Sequence, residues 1–388
     1  MHRRSTEVAV KPSVLRWARE TIGLGIEDVA KDLRVSENSV SDWETGRKHP
    51  PLHKLEALAE IYRRPLAVLL LPGPPQESPL PRDFRTLPSD KAEGLSQETR
   101  LAIRRAKRLQ AAAADLAERL HRRFPSQRER LRLSDDPEAA GARVRQQFGV
   151  GLSEQMNWKN EYEALSQWRR AVERKGVLVF QITLPVEQMR AFSLTDREPP
   201  AIALNTQDAA RARVFSLFHE YAHVLLHEGG ICDMQEAPTS RTGNAVETFC
   251  NHFSGAFLVP GGSLLSQLPT QKAAPNWSDD ILRHLAWRFK VSQEVILRRM
   301  VILGLAPRSF YEAKRDEWQA ALAQRKQPKG GYRASPPKKC LRETGLPVCS
   351  LVLESHEAGE LSLCDVADYL RLDVKYIPKI EELIGGKT

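Results

Sequence analysis

The 388-residue chain is poor in cysteine: it has five, none of them in a C-x-x-C pair, and an odd number without such pairs argues against a disulfide framework. No apolar h-region follows the basic start MHRRSTEVAV, so neither a secretory leader nor an oxidising compartment is expected. Apolar runs are short, as in Ala67–Leu71, far below the roughly 20 residues that a membrane span requires. These absences predict a soluble, cytoplasmic protein with no membrane partner. A nucleophile elbow, a phosphate-binding glycine loop and a dinucleotide fingerprint are also missing, which leaves those three kinds of chemistry without support.

Charge of both signs is abundant. Lysine and arginine number 58 against 49 aspartate and glutamate, a net +9, which suits a polyanion partner but falls short of a histone-like excess. A chain this long exceeds what one small core organises, so two or three domains are expected. Residues 12–71 read as five short helices, VLRWARETI, IEDVAKDL, SENSVSDWE, LHKLEALAEIY and PLAVLLL, with apolar positions at three-and-four spacing. The proline-rich PGPPQESPLPRDFRTLP that follows marks a boundary between bodies able to move separately. Leu95 to Phe124, rich in alanine and arginine, reads as one or two exposed basic helices, solvated connectors in preference to nucleic-acid contacts.

Beyond Pro137 the pattern is mixed. ARVRQQF and EYEALSQWRRAVERK are helical, GVLVFQI and PPAIALN are strand-like, and long helices follow over about Asp208 to His227 and Ala245 to Leu258. This is an α+β arrangement. A helical tail is predicted over Ser278 to Gln324, then the linker QRKQPKGGYRASPPKK, then the helical piece SLCDVADYLRLDVKYIPKIEELI. The predicted organisation is 1–75, a helical bundle; 76–136, linker and basic connecting helices; 137–310, the α+β domain; and 311–388, a helical C-terminal region. One internal echo stands out: DVAKDLR at 28–34 and DVADYLR at 365–371 agree at five of seven positions, and LAWRFKVSQEVILRR has similar grammar. Paired amphipathic helices reuse such residues in many structural roles, and that is the preferred reading of the later copies.

In a helix-turn-helix the second helix enters the major groove, its N-terminal side chains reaching base edges while the first helix braces it. Ala30 and Val40 are small or branched as the crossing needs, Ser36 can cap the second helix, and Val29, Leu33, Val35 and Trp43 can share a core. Asn38, Ser39, Ser41 and Asp42 remain to face outward, with Arg47, Lys48 and His49 beyond them as phosphate contacts. IEDVAKDLRVSENSVSDWETGRKHP followed by LEALAEIY resembles the XRE (lambda-repressor-like) family over about sixty residues, and the resemblance implies double-stranded DNA as a partner. Where that family usually has glycine at the turn this chain has Arg34, at a conformational cost on the order of 1 kcal/mol, which predicts a slightly altered turn.

His219, Glu220 and His223 spell HEYAH. Two histidines four apart share one helical face, so both imidazoles can reach one zinc ion. Glu220 sits beside that face and can take the proton of a water attacking a peptide carbonyl. Phe215, Leu217, Phe218, Ala222, Val224, Leu225 and Leu226 make the helix apolar nearly all round, and the polar trio in such a helix calls for a divalent ion as compensation. A third ligand is needed. His227 is about 12 Å along the axis from His219, too far to share an ion on a straight helix. Glu247 on the next helix is the preferred third ligand, His252 and Asp233 are fallbacks, and Asn251, one turn beyond Glu247, can orient a ligand or substrate. Cys232 and Cys250 flank this region and read as small buried hydrophobes, while Cys340 and Cys349 have no partners for a second zinc site.

GVLVFQITLP, PPAIALN, RVFSLFHEYAHVLLH, GICD and VETFCNHFSGAFLVP, in that order, resemble the ImmA/IrrE metallopeptidase family from about residue 140 to 310. The resemblance implies a zincin-like, gluzincin-type domain in which His219, His223 and Glu247 hold Zn2+, or another divalent transition metal such as Mn2+, and Glu220 is the catalytic base. It also implies a substrate class: some similar proteins cleave a helix-turn-helix repressor to release stress or mobile-element genes. The expected protein is thus a DNA-binding regulatory zinc endopeptidase acting on a regulatory protein, and a homodimer is compatible with it. The alternative is an XRE-type transcriptional regulator or antitoxin-like protein whose zinc pocket is a sensor or structural site.

Overall fold

A computed structural model describes residues 6–76, 95–126, 129–227, 241–269, 276–324 and 334–385. They fall into two compact units, one holding the residues up to Arg105 and the other those from Ala106 on. The first is a helical bundle of α1 (Pro12–Glu20), α2 (Ile26–Leu33), α3 (Glu37–Thr45), α4 (Leu52–Ile61) and α5 (Leu66–Leu69). Val14, Leu15, Val29, Leu33, Val40, Leu55, Leu58 and Tyr62 are buried together at its centre. Arg19 crosses from α1 to bind both carboxylate oxygens of the buried Glu44, at 2.8 and 2.9 Å.

At the start of α2, Asp28 accepts a hydrogen bond from the Gly25 N–H at 2.8 Å. The turn between α2 and α3 is held at two points: the Val35 N–H donates to the Ala30 carbonyl at 3.0 Å, and Ser36 Oγ accepts from the Ser39 N–H at 3.2 Å. Arg34 itself takes the left-handed conformation, φ 53° and ψ 53°. The turn therefore keeps the geometry that glycine would adopt freely, and the apolar contacts around it offset a cost on the order of 1 kcal/mol.

The basic stretch after the proline-rich segment forms one helix, α6 (Gln97–Arg119), and it is not the solvated connector its arginines suggest. Ala102, Ile103, Ala106, Leu109, Ala113, Leu116 and Ala117 are buried. These small side chains recur at three-and-four spacing and let backbone approach closely, while the arginines take the other face. Gln110, 2% exposed, donates to the carbonyls of Leu194, Arg197 and Pro199 at 3.3, 2.9 and 3.0 Å.

The second unit continues with α7 (Pro137–Phe148), α8 (Leu152–Asn157), α9 (Glu161–Glu173), β1 (Leu178–Ile182), β2 (Ala191–Leu194), β3 (Ala201–Asn205), α10 (Ala210–His227) and α11 (Arg241–Leu258). The sheet order is β1-β3-β2. β1 runs parallel to β3 with Leu178 opposite Ala201, and β2 runs antiparallel with Leu194 opposite Ala201. Every strand residue is buried, as expected of a sheet covered on both faces. Two of these strands are the sequence-predicted ones; β2 is additional. Phe148, Trp168, Phe218, Tyr221 and Phe257 meet edge-on and stacked in the core. Gly141 lies mid-helix in α7 because a Cβ there would come within 2.9 Å of Ala256 and 3.0 Å of the Phe257 nitrogen on α11.

Helices α12 (Gly261–Ser266), α13 (Asp279–Phe289), α14 (Gln293–Ile302) and α15 (Arg308–Gln324) complete this part, and α16 (Pro336–Thr344), α17 (Leu346–Glu357), α18 (Leu363–Leu370), a 3-10 turn at Val374–Tyr376 and α19 (Ile377–Gly385) form the C-terminal piece. α16 packs on β1, and Arg169 reaches from α9 to the Arg342 and Val179 carbonyls. Cys340, buried, faces the Leu370 carbonyl at 3.4 Å, and its hydrogen bond to Cys349, with burial, raises the Cys349 thiol well above its usual range. The architecture is an all-α helix-turn-helix bundle, an α+β domain and C-terminal helices. No helix among the described residues is long and apolar enough to cross a membrane.

Candidate metal centre and nucleic-acid interface

α10 is buried from Arg213 to Leu226: Val214, Phe215, Leu217, Phe218, Tyr221, Ala222, Val224 and Leu225 are each at most 5% exposed. Into this surface the sequence sets His219, Glu220 and His223, at 0%, 1% and 2% exposure. Arg213, one turn from the start of the helix, fixes it to the sheet by donating to Gln181 Oε1 on β1 at 2.6 Å. Without compensation, three buried polar groups on one helix are costly.

The compensation comes from α11. Glu247 Oε2 lies 3.1 Å from His219 Nε2 and its Oε1 lies 3.1 Å from His223 Nε2, while the two ring nitrogens are 3.2 Å apart. Two donors each about 2.0–2.1 Å from a tetrahedral ion stand about 3.3 Å from each other. The three groups are thus spaced almost as ligands of one zinc-sized ion, and they form the one such cluster among the described residues. Burial pushes the Glu247 carboxyl up, but hydrogen bonds and charge from His219 and His223 outweigh it and hold the group far below the usual carboxylate range. Burial likewise opposes a proton on His223, yet Cys250 and Glu247 raise it well above its ordinary value. Cys250 is fully buried and hydrogen-bonded to the His223 ring, so it borders the donor set as well as packing.

Glu220 projects beside the trio, and its Oε2 accepts a hydrogen bond from Ser193 Oγ at 3.0 Å. Ser193 is a site residue that sequence reasoning missed. It sits on β2, a four-residue strand, and its only signal in the chain is one polar residue inside the short apolar run AFSL. Asn251 falls one turn after Glu247 on α11, and its Oδ1 is shielded from solvent with no hydrogen-bond partner among the described residues. His252 is turned away from the trio: its Nε2 is 3.1 Å from Glu138 Oε2, and Glu138 also takes two hydrogen bonds from the buried Arg299, at 2.8 and 2.7 Å. That fallback ligand is therefore committed to an ion-pair cluster that joins α7, α11 and α14. Asp233, Cys232 and the His227 side chain lie outside the described part of the chain.

In the first unit, Asn38 is exposed on the first turn of α3, with Ser39, Ser41 and Asp42 half-buried beside it. Arg47 and Lys48, 67% and 70% exposed, both reach Asp42, at 3.1 and 3.2 Å. Such surface pairs contribute little to stability, so both cations can exchange Asp42 for a phosphate. The solvent-facing side of α3 thus carries short polar side chains, with basic ones just beyond its end.

Residues 13–70 match the family model described as a helix-turn-helix domain, and residues 172–301 match the peptidase M78 family model, described as an IrrE N-terminal-like domain. The transcriptional regulator ClgR of Mycobacterium tuberculosis, from strains CDC 1551 / Oshkosh and ATCC 25618 / H37Rv, is 33% identical over 81 residues, which are 21% of this chain and 72% of that regulator.

Proposed function

From a chain that belongs to the helix-turn-helix regulators by its first domain and carries an IrrE N-terminal-like domain of peptidase family M78 behind it, we infer a DNA-binding regulatory zinc endopeptidase. Its substrate is a regulatory protein, of repressor type, in a stress or mobile-element response. One observation carries this reading: three buried or half-buried donors lie within 4.8 Å of one another next to a second carboxylate, Glu220, that is not one of them. His219, His223 and Glu247 would hold Zn2+, with Mn2+ as another ion suited to these donors. When bound, the ion supplies Lewis acidity that polarises the scissile carbonyl and makes water a better nucleophile.

The chain's own residues do the rest. Glu220 takes the proton of the attacking water and passes it to the leaving amine, as a general base and then a general acid. Ser193 fixes the carboxylate through Oε2, so that proton transfer does not wait for a rotamer search. Asn251, with an unpartnered buried Oδ1, orients a ligand or the substrate chain. Asn38, Ser39, Ser41 and Asp42 read DNA from α3, with Arg47 and Lys48 on phosphates, and place the enzyme in the cytoplasm beside its target.

The test is a comparison of protein fragments in cells expressing the native chain and the Glu220→Gln form. One fragment whose appearance depends on Glu220 supports the endopeptidase. Identical fragment profiles with equal expression would leave a regulator whose metal pocket senses a ligand or holds the fold.

A further inference from the structure

The echo noticed in the sequence is also an echo in backbone geometry. After α2, α13 and α18 the chain passes through a left-handed residue, Arg34 (φ 53°), Lys290 (φ 59°) and Arg371 (φ 48°). In each case the next N–H returns to the carbonyl of an alanine: Val35 to Ala30 at 3.0 Å, Val291 to Ala286 at 3.1 Å, Leu372 to Ala367 at 3.0 Å. Each turn then meets a capping position, Ser36, Ser292 or Asp373, that starts the second helix. The first and third copies share more. In both, an aspartate three residues into the first helix, Asp28 or Asp365, accepts from the N-cap N–H at 2.8 Å. The core positions coincide: Val29 with Val366, Leu33 with Leu370, Val40 with Ile377 and Trp43 with Ile380, all buried.

The copies differ in what the second helix does. In the middle copy Val295, Ile296, Leu297, Arg299 and Met300 of α14 are buried, so that helix is used up by the core of its domain. In the third copy the outer face is open: Val374, Lys375, Pro378 and Lys379 are exposed. Aligned on the left-handed residue, the positions of Asn38, Ser39, Ser41 and Asp42 are filled by Lys375, Tyr376, Pro378 and Lys379. The two lysine side chains are 65% and 57% exposed and are paired with surface carboxylates, Asp373 at 2.8 Å and Glu382 at 2.6 Å, as Arg47 and Lys48 are with Asp42 in the first copy, and the Lys375 ammonium also lies 5.1 Å from the centre of the Tyr376 ring.

We propose that α18 and the segment Val374–Gly385 form a second helix-turn-helix that contacts double-stranded DNA, with Lys375 and Lys379 on phosphates and Tyr376 against the groove wall. This goes beyond the peptidase reading and does not depend on it. Glu381 and Glu382 follow two turns in and oppose deep entry of the helix, so the contact is made at the backbone and tolerates sequence. Each lysine that neutralises a phosphate releases about 0.9 counterion, a factor of roughly eight in affinity per contact at 0.1 M salt.

The experiment measures binding of the full-length chain to a labelled mixed-sequence 30-bp duplex, at 50 to 200 mM salt, for the native protein and Lys375→Glu/Lys379→Glu. Lys338→Glu/Lys339→Glu on α16, also exposed, is the control for net charge, and melting curves check that each variant is folded. The expected result is a salt slope shallower by about 1.8 and binding weakened at least tenfold at 0.1 M salt, with the control near native. If reversal disturbs the helix, Lys375→Gln/Lys379→Gln gives the same reading. Native slopes in the lysine variant, or an equal loss in the control, would overturn the proposal and leave this face to a protein partner or to solvent.

Discussion

If the second unit holds a metal ion, stripping it should cost stability by an amount set by how far the ion's concentration exceeds its dissociation constant. An ion held at a concentration of 100 times its dissociation constant stabilises the folded state by about 2.7 kcal/mol. For a domain of this size one kcal/mol moves the melting temperature by about 2–4 °C, so chelation should lower it by about 5–10 °C. The lower end is favoured, because Glu247 lies 3.1 Å from both histidines and partly satisfies them without an ion. The shift also depends on pH. Burial opposes a proton on His223, but Cys250 and Glu247 raise its affinity for one well above the ordinary value in the metal-free site. Metal must then displace that proton at neutral pH, so the increment shrinks as pH falls and grows as it rises toward the raised value. Calorimetry with and without chelator, together with metal analysis, measures both. His219→Ala, His223→Ala and Glu247→Ala should lose the metal and the chelator effect, whereas Glu220→Gln should keep both. A Glu247→Ala protein with a full equivalent of zinc at native affinity would refute the third ligand, and a native protein indifferent to chelation would refute the centre.

Four further outcomes are expected. Residues 1–75 should bind a short duplex with steep salt dependence, Arg47→Ala weakening all sequences alike and Asn38→Ala changing the preference among them, both read by competition titration. Ser193→Ala should leave metal content unchanged but move the acid limb of the pH–rate profile and lower kcat more than it changes KM, since the serine touches Glu220 and not the trio; an unmoved profile would make it structural. Burial raises the Glu138 carboxyl, but Arg299 and His252 hold it below its ordinary 4.5, so its stabilising effect is complete above that pH and fades as pH falls through the lowered value; Glu138→Gln should cost about 2 kcal/mol at pH 7, discounted for exposure, and less in acid, by urea unfolding. Operator DNA should speed cleavage of a regulator bound beside it through effective concentration, and deleting 1–75 should abolish that gain with zinc content intact, in a rate assay at low substrate.

The parts of this protein that were legible in its sequence are those where one physical demand dominates a short window. The α2–α3 turn could be read because Ser36, Ala30 and the buried Val29, Leu33 and Val40 all answer to one local geometry. The apolar surround of His219 and His223 showed in the same way, since an amphipathic pattern was missing where it should have been. β2 was not legible: four residues, AFSL, carry too little alternation, and the strand exists because β3 supplies its hydrogen bonds across an antiparallel register. Ser193 was lost with it. The packed face of α6 does not show in the sequence because its charge is conspicuous and its alanine stripe is not; Ala106 and Ala113, both fully buried, have no hydrophobic bulk to announce it. The turn at Arg371 repeats that of Arg34 though its second helix begins as a 3-10 turn before Pro378, an irregularity that periodicity alone conceals.

The buried carboxylate of Glu220 is the feature that separates an enzyme from a metal-binding regulator. An ion alone would account for burying His219 and His223 beside the half-buried Glu247, since the three sit at mutual distances of 3.1–3.2 Å and coordination would repay the desolvation. A structural or sensing site would need nothing more. Glu220 is 1% exposed, lies outside that set, and has Ser193 as a polar partner from another element. An apolar residue of similar volume in its place would be neutral or stabilising by the usual balance of desolvation against pairing. The chain accepts that cost beside the three donors, and the proposed proton transfer would account for it.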